Sequence, residues 1–360
     1  MKLIFTGDLS ASGFVFEKME NDDSRLLDNL AVHFSKADYV HVNLENPITS
    51  CPFRDDKKGA RLRASTKLAS YLKRVGIKIC CIANNHIMDC GELGLVETDK
   101  LLSKQGVISY GTNLTKTYII LQNGKTKVVL VALSQCEGPV ASVKKRGPYA
   151  FKRSFLKSIL KEIKRSERPD VIILNYHGGT EYNIIPEPQR RRLFHSIIDL
   201  GVDVIIGHHA HVPQGYEKYS NGHIFYGLGN FLFDIPSHRK YPFTNSSYFV
   251  VLNIDGKLIN FERISYVLDR SAQDIKLQTN IIPRLGDLDH FQTEASYHRA
   301  WINDAKRVYS LRQRIWISDK KTLLNILKRC LYLMAIMIRD LFHIGKRPFV
   351  FGFISSHLHK

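Results

Sequence analysis

The sequence predicts an α/β fold in stacked layers. Short apolar runs alternate with helical stretches through most of the chain. From about residue 222 the helices give way to consecutive strands, which implies a second sheet packed on the first. Polar side chains collect where the apolar runs end, the place where open α/β sheets build their sites.

The runs at 3–6, 39–43, 77–83, 128–133, 171–176 and 204–207 are mostly apolar and read as strands buried on both faces. Stretches at 23–35, 66–75, 93–105, 154–165 and 187–200 carry helical periodicity. Later runs at 223–228, 248–255 and 258–265 read as strands again, and Asp255-Gly256 between the last two signals a hairpin. Helices are expected at 299–317 and 321–342. The second places Leu324, Leu327, Leu331, Met334 and Ile338 near one face, with Lys320, Lys321, Lys328 and Arg329 close by. The chain divides into a body over residues 2–268 and a basic helical extension over 269–360. The extension is expected either to cover an apolar part of the body or to lie on a membrane surface with its lysines and arginines on anionic headgroups.

With 44% hydrophobic and 24% charged residues, the composition is that of a soluble globular protein and excludes a disordered chain. The net charge of +18 concerns partners rather than fold: phosphate-rich substrates, acidic polymers, nucleic acid or an anionic membrane. No nucleic-acid-binding module accompanies the charge, so nucleic acid ranks low. The cysteines, Cys51, Cys80, Cys81, Cys90, Cys136 and Cys330, form no CxxC pair and are expected as reduced thiols in a cytoplasmic protein. The N-terminus enters a strand at once, without the apolar segment of a signal peptide. The apolar run at 330–338 is far shorter than the about 20 residues that cross a bilayer.

The strand ends carry chemistry. The first ends in Gly7-Asp8, the second in Asn43-Leu44-Glu45, the third in Asn84-Asn85-His86 with Asp89 beyond. Later ends offer His177-Gly178-Gly179 followed by Glu181, then His208-His209-Ala210-His211, then Gly229-Asn230. Carboxylate, amide oxygen and imidazole are the donors that divalent cations take. His209 and His211, in an expected extended turn, serve either one cation or two neighbouring ones, and Glu45 or Asp8 is placed to bridge a pair.

Together these segments resemble the CapA family, capsule or poly-γ-glutamate synthesis proteins related to calcineurin-like metallophosphoesterases. The resemblance spans roughly residues 2 to 255. It rests on Gly-Asp-Leu at 7–9, Asn-Leu-Glu at 43–45, Ala-Asn-Asn-His-Ile-Met-Asp-Cys-Gly at 83–91, Tyr-His-Gly-Gly-Thr-Glu-Tyr at 176–182, Gly-His-His-Ala-His at 207–211 and Gly-Leu-Gly-Asn-Phe at 227–231. It implies a metallophosphoesterase-like α/β/β/α sandwich of two packed mixed sheets flanked by helices. It also implies one or two divalent ions from among Mn, Fe, Zn and Mg. Asp8 becomes a metal ligand, and Glu45 stands at the superfamily's bridging aspartate. Asn85 ligates through its amide oxygen, His177 and His209 bind the second metal, and His211 binds the first. His86 faces the scissile group as acid or electrostatic stabiliser, and His208 is either a ligand or a substrate contact. Ser10 departs from the superfamily pattern, which has a histidine there. A hydroxyl is a weaker ligand than imidazole, so a weak, water-filled or empty first position is expected.

Each residue also has a plainer reading. Asn84 suits a turn in which its side chain bonds nearby backbone. Asp89 suits a helix cap, and Gly227 and Gly229 suit a tight turn. Asn230 is placed to brace a metal-binding histidine, and Glu181 to orient His177, bind substrate or face solvent. Three basic clusters, Arg54/Lys57/Lys58/Arg61/Arg63, Lys144/Lys145/Arg146/Lys152/Arg153 and Arg190-Arg191-Arg192, read either as solvated surface or as a positive rim. The loops after Asn46 and Glu137 are the better candidates for the rim.

The expected function is a metal-dependent phosphoesterase-like hydrolase or transferase in capsule, exopolysaccharide or poly-γ-glutamate synthesis. Its substrate is an anionic polymer or a phosphorylated compound, and its partners are other capsule or polymer synthesis proteins. The alternative is a non-catalytic polymer-binding or scaffold subunit of such a complex, which Ser10 favours. The family's usual membrane anchor is not evident, so the expected location is cytoplasmic, with peripheral contact on the inner face of the membrane.

Overall fold

Alternation along one strand already separates two cores. A computed structural model describes residues 1–21, 25–57, 59–135, 138–278 and 287–318. In β1 (Lys2–Leu9), Leu3 and Phe5 point to one side and Ile4 to the other, the period of two that a pleated strand imposes, and an irregularity between Phe5 and Asp8 brings Leu9 to the side of Ile4. The first pair enters a core between two sheets, and the second pair enters a core between sheet and helices.

β1 is followed by β2 (Tyr39–Leu44), β3 (Ile77–Cys81) and β4 (Ile108–Tyr110), which lie side by side and parallel. The chain then builds a second sheet. It comprises β5 (Tyr118–Asn123), β6 (Thr126–Ser134), β7 (Val171–His177), β8 (Val204–His208), β9 (Pro213–Tyr219) and β10 (Gly222–Leu228), in the order β5-β6-β7-β8-β10-β9. Finally it returns to the first sheet with β11 (Asn230–Leu232), β12 (Ser246–Asp255), β13 (Leu258–Asp269) and β14 (Asp274–Gln278). That sheet reads β14-β13-β12-β1-β2-β3-β4, with short β11 pairing with β1. Both sheets are mixed: β12, β13 and β14 add antiparallel strands to one side of the first parallel centre, and β5 and β9 close the second on both sides.

The connections supply the outer layers. α1 (Phe14–Glu20), α2 (Asp28–Phe34), α3 (Leu68–Arg74) and α4 (Gly91–Lys104) cover the first sheet through Val15, Leu30, Leu72 and Leu95. α5 (Arg153–Ser166), α6 (Pro188–Ile198) and α7 (Glu294–Ser318) cover the second through Leu160, Phe194 and Tyr297. In α5 the buried residues Leu156, Ile159, Leu160 and Ile163 follow the spacing of one helical face. Leu3, Phe5 and Val250 of one sheet meet Val128, Leu130 and Ile173 of the other, which completes the expected α/β/β/α sandwich. Within that apolar layer His41 Nε2 lies 2.9 Å from the Tyr110 hydroxyl, to which Asn175 donates at 2.6 Å.

The hairpin expected at Asp255-Gly256 is present: Asp255 pairs with Leu258, and Gly256 takes a φ of 56°. The strands absent from the sequence reading include β14, β4, β5 and β9, which are the four sheet edges. Edge strands are partly solvated and lack the continuous apolar run that marks a central strand. α7 begins at Glu294, earlier than expected, because the Thr293 hydroxyl accepts from Ser296 N at 3.1 Å and caps the first turn. In the stretch expected as one helix from residue 23, the helix proper starts at Asp28 after a 3-10 turn at Arg25–Leu27. β14 extends the first sheet beyond residue 268, and Tyr297 and Trp301 pack α7 on the second. Cys51, Cys80, Cys81 and Cys90 are free thiols. The helix expected at 321–342, Lys58, Cys136, Glu137 and Cys330 lie outside the described residues. No helix among the described residues is long and apolar enough to cross a membrane.

Candidate metal centre

Asp8 closes β1 at a point where the strand changes partners. Its register against β2 shifts between Phe5 and Asp8, and Asp8 N donates to Gly229 O at 2.9 Å. The approach requires Gly7, since a Cβ there would lie 1.9 Å from the Gly229 oxygen. The Asp8 carboxylate is then fully engaged. Oδ1 accepts from Asn43 Nδ2 at 2.8 Å and lies 2.9 Å from His208 Nδ1, while Oδ2 accepts from His209 N at 2.9 Å. Burial alone raises the acid's pKa, but His208 beside it, with His177 and His211, outweighs burial and holds the carboxyl below the usual carboxylate range.

Glu45 follows β2, held by Glu45 N donating to Leu9 O at 2.8 Å. It is completely buried, and neither carboxylate oxygen has a hydrogen-bond partner. Its Oε1 lies 3.7 Å from His177 Nε2 and 3.6 Å from His211 Nε2. Burial, then the nearby Asp8 and Glu181 charges, push its pKa well above the carboxylate range. Two donors each about 2.1 Å from one cation lie roughly 3–4 Å apart, so these spacings fit a shared ion.

After β3, Asn84 builds the turn that aims its neighbours. Its Nδ2 donates to Leu44 O at 2.7 Å, and its Oδ1 accepts from Ile87 N at 2.9 Å, so its role is the structural one. Asn85 Oδ1 lies 2.8 Å from His177 Nε2, and His177 Nδ1 lies 3.2 Å from Asn43 Nδ2. His86 Nδ1 lies 2.7 Å from Asp89 Oδ2, and Lys57 Nζ reaches Asp89 Oδ1 at 2.5 Å. Lys57 therefore comes from the loop after Asn46 to within 3.5 Å of His86 Nδ1. Asp89 also accepts from Leu62 N at 2.9 Å and organises this side of the site; it does not cap α4, whose N-cap is Cys90 without a side-chain cap bond.

The 208–211 segment is not extended. His209 and His211 take φ values of 87° and 57°, left-handed backbone that costs non-glycine residues about 1 kcal/mol or more each. That kink turns both rings toward Glu45 and Glu181. Burial lowers the pKa of His177 well below the ordinary value, with His209 adding to it, and brings His209 to about 4. Both rings are thus neutral, the form that offers a lone pair to a cation.

Among the described residues three sets of potential ligand atoms fall within 4.8 Å of one another: Asp8/Glu45/His211, Glu45/His177/His209 and Glu181/His209/His211. The first two share Glu45. Its unpartnered buried oxygens make the donor set fit one or two divalent cations. Asn85, a proposed ligand, touches this set through His177. His208 lies behind Asp8 and belongs to none of the three sets. Ser10 is buried and its hydroxyl donates to Ser12 at 3.0 Å.

The segments converging on Glu45 run from residue 8 to residue 211, with Asn230 behind His211. Residues 2–235 match the model of a family described as bacterial capsule synthesis protein PGA_cap. The chain belongs to that family. It is 29% identical over 220 residues to the capsule biosynthesis protein CapA of Bacillus anthracis, covering 57% of this chain and 53% of the relative. It is 30% identical over 241 residues to the PGA biosynthesis protein CapA of Bacillus subtilis, covering 64% and 62%. The matched region thus spans about half to three-fifths of these relatives. A solved structure described as a novel phosphatase from Mycoplasma pneumoniae is similar at 19% identity and a TM-score of 0.49, covering 74% of this chain and 93% of that one.

In this PGA_cap chain the sequence reading missed His238. It lies just past the matched region, in a 3-10 turn at His238–Lys240, with its ring 4.3 Å from that of His211. No strand end announces it. The third basic cluster proves structural in two of its members. Arg190 is buried over Phe194, and Arg191 Nη2 pairs with Glu217 Oε1 at 2.6 Å.

Proposed function

We propose that this chain is a metal-dependent, phosphoesterase-like hydrolase or transferase acting in capsule, exopolysaccharide or poly-γ-glutamate synthesis. Family membership and the names of the two CapA relatives support the process. One observation supports the chemistry: Glu45 is buried with both oxygens unpartnered, where two histidine-containing ligand sets meet. A lone buried carboxylate is unfavourable by several kcal/mol, and a cation shared by the two sets offsets that cost.

Mixed carboxylate, amide and imidazole donors suit Mn, Fe, Zn or Mg. A bound divalent cation stabilises negative charge on a phosphoryl oxygen and acidifies water. The chain's own groups do the rest. Asp8, Glu45 and His211 would hold one ion, and Glu45, Asn85, His177 and His209 would hold a second. His86, its Nδ1 fixed by Asp89, has its Nε2 to hold or pass a proton at the reacting group. Lys57 adds positive charge beside it and attracts a phosphorylated substrate or an anionic polymer.

Metal analysis of purified, metal-loaded protein tests the reading, together with a panel of phosphomonoesters and phosphodiesters. Bound metal with turnover that disappears in His177→Ala is the expected result. Protein that retains no metal after loading overturns it. Bound metal without turnover on any ester favours a polymer-binding subunit, the reading to which the hydroxyl at Ser10 lends support.

A further inference from the structure

The two ligand sets that share Glu45 are unequal. Glu45/His177/His209 brings two imidazoles, and Asp8/Glu45/His211 brings one. Ser10, next in chain to the Asp8 side, has its hydroxyl turned to Ser12. His238 stands on the side of the weaker set, its ring against that of His211 and 5.5 Å from that of Tyr182.

His238 is held there by more than packing. Its ring stacks on Phe233 at 4.8 Å and 11°. Asp234, fully buried, accepts from Arg239 Nε at 2.9 Å within the loop and from Arg270 Nε at 2.8 Å, which ties the start of the loop to the turn after β13. Thr244 Oγ1 donates to the His238 carbonyl at 2.8 Å, and Thr244 O in turn accepts from Asn230 Nδ2 at 2.8 Å. A side chain fixed this way is preorganised rather than swept in by a mobile loop. Yet the ring itself has unmet capacity. His238 is 4% exposed, and its buried Nδ1 has no hydrogen-bond partner. A buried ring nitrogen without a partner costs free energy in the isolated protein, and a bound oxyanion relieves that cost. An imidazole carries an N–H donor in either tautomer. No set of ligand atoms within 4.8 Å includes His238, so it does not join Asp8, Glu45 and His211 as a direct ligand in this arrangement.

We propose that His238 is a substrate-contacting residue of the metal centre, its imidazole donating a hydrogen bond to an oxygen of a phosphate group bound at the Asp8/Glu45/His211 side. The inference rests on the metal-centre reading above. It adds a fourth side chain to the weaker side, from a loop beyond the matched family region.

The test uses the full chain loaded with Mn²⁺ and inorganic phosphate as the probe. Mn²⁺ affinity and phosphate affinity are measured separately by calorimetric titration for the wild type, His238→Ala and His238→Gln, with thermal unfolding of each. The expected result is that His238→Ala keeps its Mn²⁺ affinity and loses about tenfold in phosphate affinity, the effect of one lost donor to a charged group. His238→Gln, whose amide also donates, recovers part of that loss. Wild-type phosphate affinity in His238→Ala overturns the proposal while leaving the metal reading intact. So does loss of Mn²⁺ in His238→Ala as complete as in His177→Ala. If His238→Ala unfolds, His238→Phe, which keeps a ring without a donor, decides: phosphate affinity equal to that of the wild type, or Mn²⁺ lost, overturns the proposal. A wild type that binds no Mn²⁺ overturns the metal reading and this proposal with it.

Discussion

His211 Nδ1 lies 2.9 Å from Asn230 Oδ1, and that hydrogen bond decides which ring nitrogen faces the centre. With Nδ1–H donated to the amide oxygen, Nε2 carries the lone pair and points to Glu45 Oε1 at 3.6 Å. Asn230 is in turn fixed by its Nδ2, which donates to Thr244 O at 2.8 Å. Asn230→Ala frees the ring without touching Glu45, His177 or His209. Metal affinity on the Asp8 side is expected to fall by about 10–100-fold, with the other position retained. Titration of the metal-free protein with Mn²⁺ reads both, and an unchanged pair of affinities would remove Asn230 from this role.

Glu45 sets stability against function. In the metal-free chain its carboxylate is buried and unpartnered, so Glu45→Gln is expected to raise the unfolding free energy by about 1–3 kcal/mol. The same change removes the charge that both ligand sets share, and with it the rise in melting temperature on adding Mn²⁺. Urea unfolding with and without the ion measures both effects. A variant less stable than the wild type without metal would contradict the account of Glu45 as an unpartnered buried acid.

Tyr110 ties the two sheets together by a polar link inside an apolar layer. Its hydroxyl meets His41 Nε2 at 2.9 Å from the first sheet and accepts from Asn175 at 2.6 Å from the second. Tyr110→Phe leaves both partners buried and unsatisfied and is expected to destabilise the fold by about 2 kcal/mol. Metal affinity should be nearly unaltered, because neither partner belongs to a ligand set. Chemical denaturation beside a metal titration separates the two quantities.

Glu217 supplies the pH dependence on the opposite face of the second sheet. Its burial raises the carboxyl pKa, but His195 at 2.9 Å, Arg191 at 2.6 Å and the Tyr226 hydroxyl at 2.6 Å outweigh it and hold it at about 2. A folded-state value below the ordinary 4.5 means that the unfolded chain takes up the proton first as pH falls. The stabilisation is therefore complete above pH 4.5 and disappears as pH drops toward 2. Melting temperatures of the wild type and Glu217→Gln across that range should converge at the acid end, with the variant less stable near neutrality. Parallel curves would show that this network does not titrate as described.

The parts of this molecule that local pattern controls were legible in the chain. The central strands β1, β2, β3, β6, β7 and β8 are buried on both faces and appear as apolar runs, whereas the four edge strands, half solvated, do not. Asp8, Glu45, Asn85, His177, His209 and His211 stood out because each follows such a run, and the fold gathers them near Glu45. Arg190 and Arg191 looked like surface charge, since nothing in a local arginine triplet foretells Phe194 beneath one or Glu217 beside the other.

Sequence alone determined the layers, because a period of two or of 3.6 in apolar residues is a local property that the backbone must obey. It also determined which donors stand at strand ends. Tertiary structure alone decided how those donors meet: the left-handed turn at His209 and His211, the unpartnered carboxylate of Glu45 and the arrival of His238 from a loop. Those features depend on contacts between segments up to two hundred residues apart, such as His209 N with Asp8, 201 positions away, and no local window contains them.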